Sequence, residues 1–225
     1  MVRPAIPDVI TIVASAYFQP IADLLDKLLS RPIAKPGPAG VGEHENGYSA
    51  ALVVLLIAVL ESYTSRVRIM RKSEISGDMN TPALLSKLFP ALPTKDELVE
   101  VCLVRNVVAH NHVWHLDVSD FHNAGAPTIA NPRELGFKPN QNYDVVVDVT
   151  TRTTRLLRLN ISPTSVDRTD VWKVFDVTWR TLKHMNATNF SDTPLGGSTV
   201  IFRGKRREFA DLLQELKNGI ADGSP

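Results

Sequence analysis

The chain has 225 residues, 44% of them hydrophobic, and a net charge of +1. That is ample material for one large core, and too little charge for a global field that would gather nucleic acid, so a polyanionic partner has to meet a local patch. A single cysteine, Cys102, excludes a disulfide framework; it reads as a small buried hydrophobe in a reducing compartment.

Residues 9–18, with Ala14-Ser15-Ala16, have a faint likeness to a signal peptide, but Pro4, Pro7 and Asp8 spoil the apolar segment. Residues 8–30 predict an amphipathic helix, with Ile10, Val13, Tyr17, Ile21, Leu24 and Leu28 at helical spacing, which Pro20 should break or kink. A Pro- and Gly-rich loop over 31–47 separates it from a second helix over 49–72. The first half of that helix is apolar on all sides and belongs in the middle of a bundle. Its second half turns polar at Glu61 and carries Arg66, Arg68, Arg71 and Lys72. The longest apolar run, 50–60, falls short of the roughly 20 residues of a membrane span, so a soluble cytoplasmic protein without a membrane partner is expected.

A short helix near 83–89 follows. Thr94 and Glu97 then have capping-box spacing behind Pro93, which predicts a helix from near Lys95 to His110 or His112. Residues 113–142, with Pro127, Pro132 and Pro139, resist assignment. Alternation over 143–149 and 154–160 reads as a hairpin, and Val171, Phe175, Trp179 and Leu182 line one face of a helix over 168–185. A loop at Gly196-Gly197, a short strand over 199–202 and a helix over 207–218 stopped by Gly219 complete the chain. The expected fold is mainly α, a helical bundle with a small β-hairpin insertion. It forms a single domain in which 1–44 is an N-terminal helix and loop, 45–112 the core helices, 113–165 the insertion and 166–225 the C-terminal helices.

The segment Arg105-Asn106-Val107-Val108-Ala109-His110 is the best site candidate. It puts a permanent cation, an amide and an imidazole into an otherwise apolar helix, where such groups need a partner, a helix end or a groove. Asn106 and His110 are four apart and share a face, while Arg105 and His110 lie about 140° apart around the axis and would flank a groove. Free carbonyls in the last helical turn would favour a protonated His110. Glu61, at the end of its apolar run, is the natural partner of Arg105. That pairing could aim the arginine at a phosphate or could only hold two helices in register.

An Arg followed by a polar residue and, five positions on, by a His, on a late helix behind a long apolar helix that ends in an acid, resembles the HEPN superfamily. These are small helical bundles of toxin–antitoxin, abortive-infection and other RNA-cleaving defence systems. The likeness covers about residues 45–115, with the 168–185 helix as a further match. It implies a metal-independent endoribonuclease without cofactors, a homodimer whose two motifs line one cleft, and an antitoxin or defence-system partner. On this reading His110 takes the proton of the RNA 2′-hydroxyl, Arg105 clamps the phosphate, Asn106 supports either, and Glu61 supports Arg105. The alternative is a HEPN-like module that binds RNA or a protein without cleaving anything.

Two weaker signals complete the reading. His110, His112, His115 and His122, with Asp117 and Asp120 between them, have residue types that zinc accepts but no fixed geometry, and a solvated helix-to-loop junction accounts for them. Of three basic groups, Arg66 to Lys72 is the preferred RNA-contacting patch; Arg152, Arg155 and Arg158 lack a common strand parity, and Arg203 with Lys205 to Arg207 reads as solvated surface. Trp114, Trp172 and Trp179 fit core or interface better than base stacking.

Overall fold

The computed structural model describes residues 14–33, 45–109, 114–115, 128–129, 143–148, 150–161, 165–189, 193, 195 and 198–221. It is a mainly α bundle carrying three small two-stranded antiparallel sheets among the described residues.

A single 3-10 turn, Ala14–Tyr17, leads into α1, Phe18–Leu29. Pro20 is the third residue of α1. It sits in the first turn, where its missing N–H has no intrahelical partner to lose, so the change of helix type falls before it and α1 continues through it. Phe18, Ile21, Ala22, Leu25 and Leu28 form the buried stripe. The central helix is α2, Asn46–Met70. It packs against α1, α3 (Thr81–Leu88), α4 (Lys95–Ala109) and α6 (Arg168–Thr188), which explains why it is apolar all round. Taken whole, Gly47–Met70 is long and apolar enough to cross a membrane, although no single uninterrupted run in it is; half of its most apolar window is buried in the bundle.

Asn80 caps α3, its side-chain oxygen accepting the Ala83 N–H at 3.0 Å, and Pro82 stands in the first turn. Where the sequence suggests a capping box at the start of α4, the two residues work across the bundle. Thr94 Oγ1 lies 2.6 Å from Thr181 Oγ1, and both Glu97 carboxylate oxygens accept from Arg180 Nη2 at 3.0 Å. α4 is thereby tied to α6.

The hairpin expected over 143–160 is much shorter than the alternation suggests. Residues Tyr143–Val146 form one helical turn, α5, and only β3 (Val147–Asp148) and β4 (Thr153–Thr154) pair, with Thr153 also bridging Asn160. The cause is a buried carboxylate. Glu100, in α4, accepts the N–H groups of Leu156 and Leu157, both at 2.7 Å, and turns the chain where a strand would have continued. Two further strands, β1 (Trp114–His115) and β2 (Thr128–Ile129), pair earlier in the insertion.

α6 opens with a capping box. Asp167 accepts from Thr169 and Asp170 N–H groups, and Asp170 accepts back from Asp167. The C-terminal region departs most from expectation. After β5, Thr199–Phe202, the chain reverses through Arg203 and Gly204, with φ of 50° and 72°, into β6, Lys205–Glu208. Positive φ at both central residues is the geometry of a two-residue hairpin turn. Thus Arg207 and Glu208, expected to open the last helix, end a strand. Phe209 then inserts against Phe18, Phe175 and Trp179, and α7 spans Leu212–Ala221. Gly219 does not stop α7; it lies inside it, where a Cβ would come 2.4 Å from Leu29 Cδ2 and that side-chain end would have to shift. Trp172 and Trp179 both pack on the core, as expected.

Candidate functional site

The chemistry-bearing residues meet where α2, α3 and α4 converge. Val99, Cys102, Leu103 and Asn106 recur at helical spacing and put one face of α4 along an open cleft. Arg105 and Glu61 stand at its side, and Asn80, Thr81 and Pro82 close it from the start of α3. The floor is apolar: Leu103 and Cys102 are buried.

Arg105 Nη2 donates to Glu61 Oε1, so the two residues paired from sequence do meet across the bundle. The pair is not sealed. The Arg105 side chain is 22% exposed and that of Glu61 35%, and Arg105 Nε is buried without a hydrogen-bond partner among the described residues. Asn106 is half-buried on the same cleft. Burial pushes the Cys102 thiol up to about 12, the Glu61 charge adds to the rise and Arg105 opposes it. At neutral pH it is therefore a neutral thiol, part of the apolar wall and not a nucleophile.

α4 is described as far as Ala109, so His110 lies outside the described residues, as do His112, His122 and the side chain of His115. The histidine part of the motif and the zinc alternative both fall there. Among the described residues no cluster of His, Cys, Asp or Glu could hold a metal ion.

The basic end of α2 is put to internal use. Arg68 donates to the Met79 carbonyl and lies 3.8 Å from Asp78, and Arg71 reaches the Leu88 carbonyl at 3.5 Å while its guanidinium stacks 5.0 Å over Phe89. These two hold the α2–α3 connection and α3 against α2. Arg66 is half-buried and Lys72 is exposed.

Asn80 and Thr81 were not among the expected site residues, although Asn-Thr-Pro is a legible helix start. Nor was Glu100, an acid between Val99 and Val101 that, like Glu61, needs a partner in an apolar setting.

No protein-family model matches the chain, and no curated protein or solved structure does either.

Proposed function

We propose that the chain is a metal-independent endoribonuclease of HEPN type, acting in the cytoplasm as a homodimer and serving as a toxin or phage-defence effector. The observation that carries this reading is the shared cleft. Arg105 and Asn106, the first two members of the motif, line one groove in the last turns of the helix that precedes His110. Arg105 is held there by Glu61 and still keeps about a fifth of its side chain, 22%, exposed.

The reaction needs only the RNA and these side chains. The 2′-oxygen attacks the neighbouring phosphorus while His110 takes the hydroxyl proton, an O2′–P bond forms and the P–O5′ bond breaks. The departing 5′-oxygen gains a proton, leaving a 2′,3′-cyclic phosphate and a 5′-hydroxyl. Arg105 offers its guanidinium fork to the phosphate oxygens as negative charge gathers on them, and Asn106 orients the phosphate or the imidazole. An imidazole with an ordinary pKa of about 6.5 is suited to the proton transfer near neutral pH.

One observation favours a second reading, a HEPN-like module that binds RNA or a protein partner without cleaving. The Arg105–Glu61 ion pair already satisfies part of the guanidinium, as a purely structural pair would.

Cleavage of RNA by the purified chain in EDTA, beside folded His110→Ala and Arg105→Ala variants, separates the two. Cyclic-phosphate ends that disappear in both variants support the nuclease; a transition-state clamp of this type is worth about 100-fold or more in rate. Binding without cleavage, equal in all three proteins, moves the assignment to the binding module.

A further inference from the structure

The same cleft holds two polar groups that phosphate chemistry does not use, the second carboxylate oxygen of Glu61 and the amide NH₂ of Asn80. We infer that it is a base subsite, selective for guanine in single-stranded RNA; the inference rests on the ribonuclease reading and adds its sequence preference.

Glu61 commits Oε1 to Arg105, and its second oxygen, Oε2, faces no donor among the described residues. A carboxylate only accepts hydrogen bonds. Beside it stands the amide of Asn80, which uses its oxygen to cap α3 and keeps its NH₂ group as a donor, while Asn106, given above to the phosphate or the imidazole, lines the same cleft. The walls between them, Val99 and Leu103 on α4 and Pro82 on α3, suit the flat face of an aromatic ring. Single-stranded RNA is read in this way, by apolar contact on the base face and hydrogen bonds to its edge.

The donor pattern selects the base. Guanine presents, in a row, the O6 acceptor, the N1–H donor and the N2 amino donor. Glu61 Oε2 takes one of the two adjacent donors, the second lone pair of Oε1, shared with Arg105, takes the other, and an amide NH₂ takes the neighbouring acceptor. Adenine and cytosine each present a single exocyclic amine next to an acceptor nitrogen, and uracil places one N–H between two carbonyls. None of these three gives a carboxylate two adjacent donors. Phosphate fits Glu61 worst of all, because both are anionic. Arg105, paired to Glu61, thus marks the border between a phosphate position on its open side and a base position over α4.

The test uses short 2′-O-methyl oligouridines, which cannot be cleaved, carrying one central G, inosine, A or C, with binding read by fluorescence anisotropy. Inosine is guanine without the 2-amino group. The wild-type chain should bind the G oligomer about tenfold or more tightly than the inosine, A, C or all-U oligomers, because one bond to a charged acceptor is lost. Glu61→Gln, which offers one acceptor and one donor, should bring G and inosine within about twofold of each other. Val99→Trp, which fills the cleft and leaves the ion pair intact, should do the same if Glu61→Gln does not fold. Equal binding of all five oligomers by the wild-type chain overturns the guanine subsite, and EDTA-resistant cleavage with cyclic-phosphate ends would then leave the nuclease standing. A G preference that survives both substitutions overturns the placement in this cleft. Failure to bind any oligomer overturns the subsite, and if cleavage is also missing the ribonuclease reading falls with it.

Discussion

Two of the arginine–glutamate pairs that cross this molecule are built differently. Arg168, at the start of α6, donates Nε to Glu45, Nη1 to the Gly219 carbonyl at 3.1 Å and Nη2 to the Arg31 carbonyl at 2.9 Å, with side-chain exposures of 7% and 0% for the pair. It joins α6 to the end of α1, the start of α2 and α7, and each guanidinium nitrogen has a protein partner. Arg105 makes one bond to Glu61, leaves Nε without a partner and sits with Glu61 on an open cleft at 22% and 35% exposure. A guanidinium that spends all its donors on the fold has no capacity for a ligand. One that makes a single bond and stays partly exposed does. The difference between the pairs, more than the presence of either, makes Arg105 a site residue.

The comparison predicts unequal costs. Arg168→Met takes the guanidinium away from the buried Glu45 and should cost about 3–5 kcal/mol, read by denaturant unfolding. Arg105→Met should cost about 1 kcal/mol or less, because its pair is screened by solvent, while any cleavage activity is lost. A loss of stability at Arg105 as large as that at Arg168 would erase the distinction and return Arg105 to the scaffold.

A second buried anion sharpens the scaffold side. Asp170 accepts the Asn160 backbone N–H at 3.1 Å, the Asn160 amide at 2.8 Å and the Asp167 N–H at 3.0 Å. Even so, burial, reinforced by the Asp167 charge, raises its carboxyl from 3.8 to about 6. The folded chain therefore holds this proton more tightly than the unfolded chain. The contribution is fully present below about pH 4 and is lost as pH rises through about 6, on the order of 3 kcal/mol in all. Stability measured from pH 4 to 7 should show this fall in the wild-type chain and lack it in Asp170→Asn. Parallel curves for the two proteins would show that Asp170 titrates as an ordinary carboxyl.

How much of this could be read from sequence depends on which force wrote it. Elements whose apolar residues recur with helical period were legible: the buried stripe of α1, the all-round apolar α2, and α6 with Val171, Phe175 and Leu182. The bundle class follows from them, as does the Glu61–Arg105 meeting, because an acid and a base at the edges of two apolar helices have few other partners. Periodicity is silent where the chain is organised by single polar groups. Glu100 ends a strand by capturing two N–H groups of a segment 56 residues away, and nothing local to Leu156 announces it. β6 reads Lys-Arg-Arg-Glu, with no apolar alternation, and is a strand only because Arg203-Gly204 turns it back onto β5. That turn dipeptide was the available signal. Gly219, a residue that ordinarily ends helices, lies inside α7 close to the Leu29 side chain, a contact visible only in three dimensions.

Glu100 lies between the two kinds of group compared above. It is buried like Glu45 but its partners are backbone N–H groups, not a cation, and it is in the same helix as Arg105, five residues earlier and about 7.5 Å along the axis. Glu100→Gln keeps the shape and one acceptor, but turns an NH₂ group toward one of the two N–H donors. The expected cost is about 1–3 kcal/mol. The loss should be local, seen as faster hydrogen exchange at Leu156 and Leu157 with the core amides of α2 unchanged. If Glu100 serves only to seat the insertion, RNA cleavage by Glu100→Gln should persist near the wild-type rate. A parallel loss of cleavage, with the fold intact, would instead show that the seated 155–158 turn is part of the substrate path beside α4, and would extend the site beyond the cleft that Arg105 and Glu61 define.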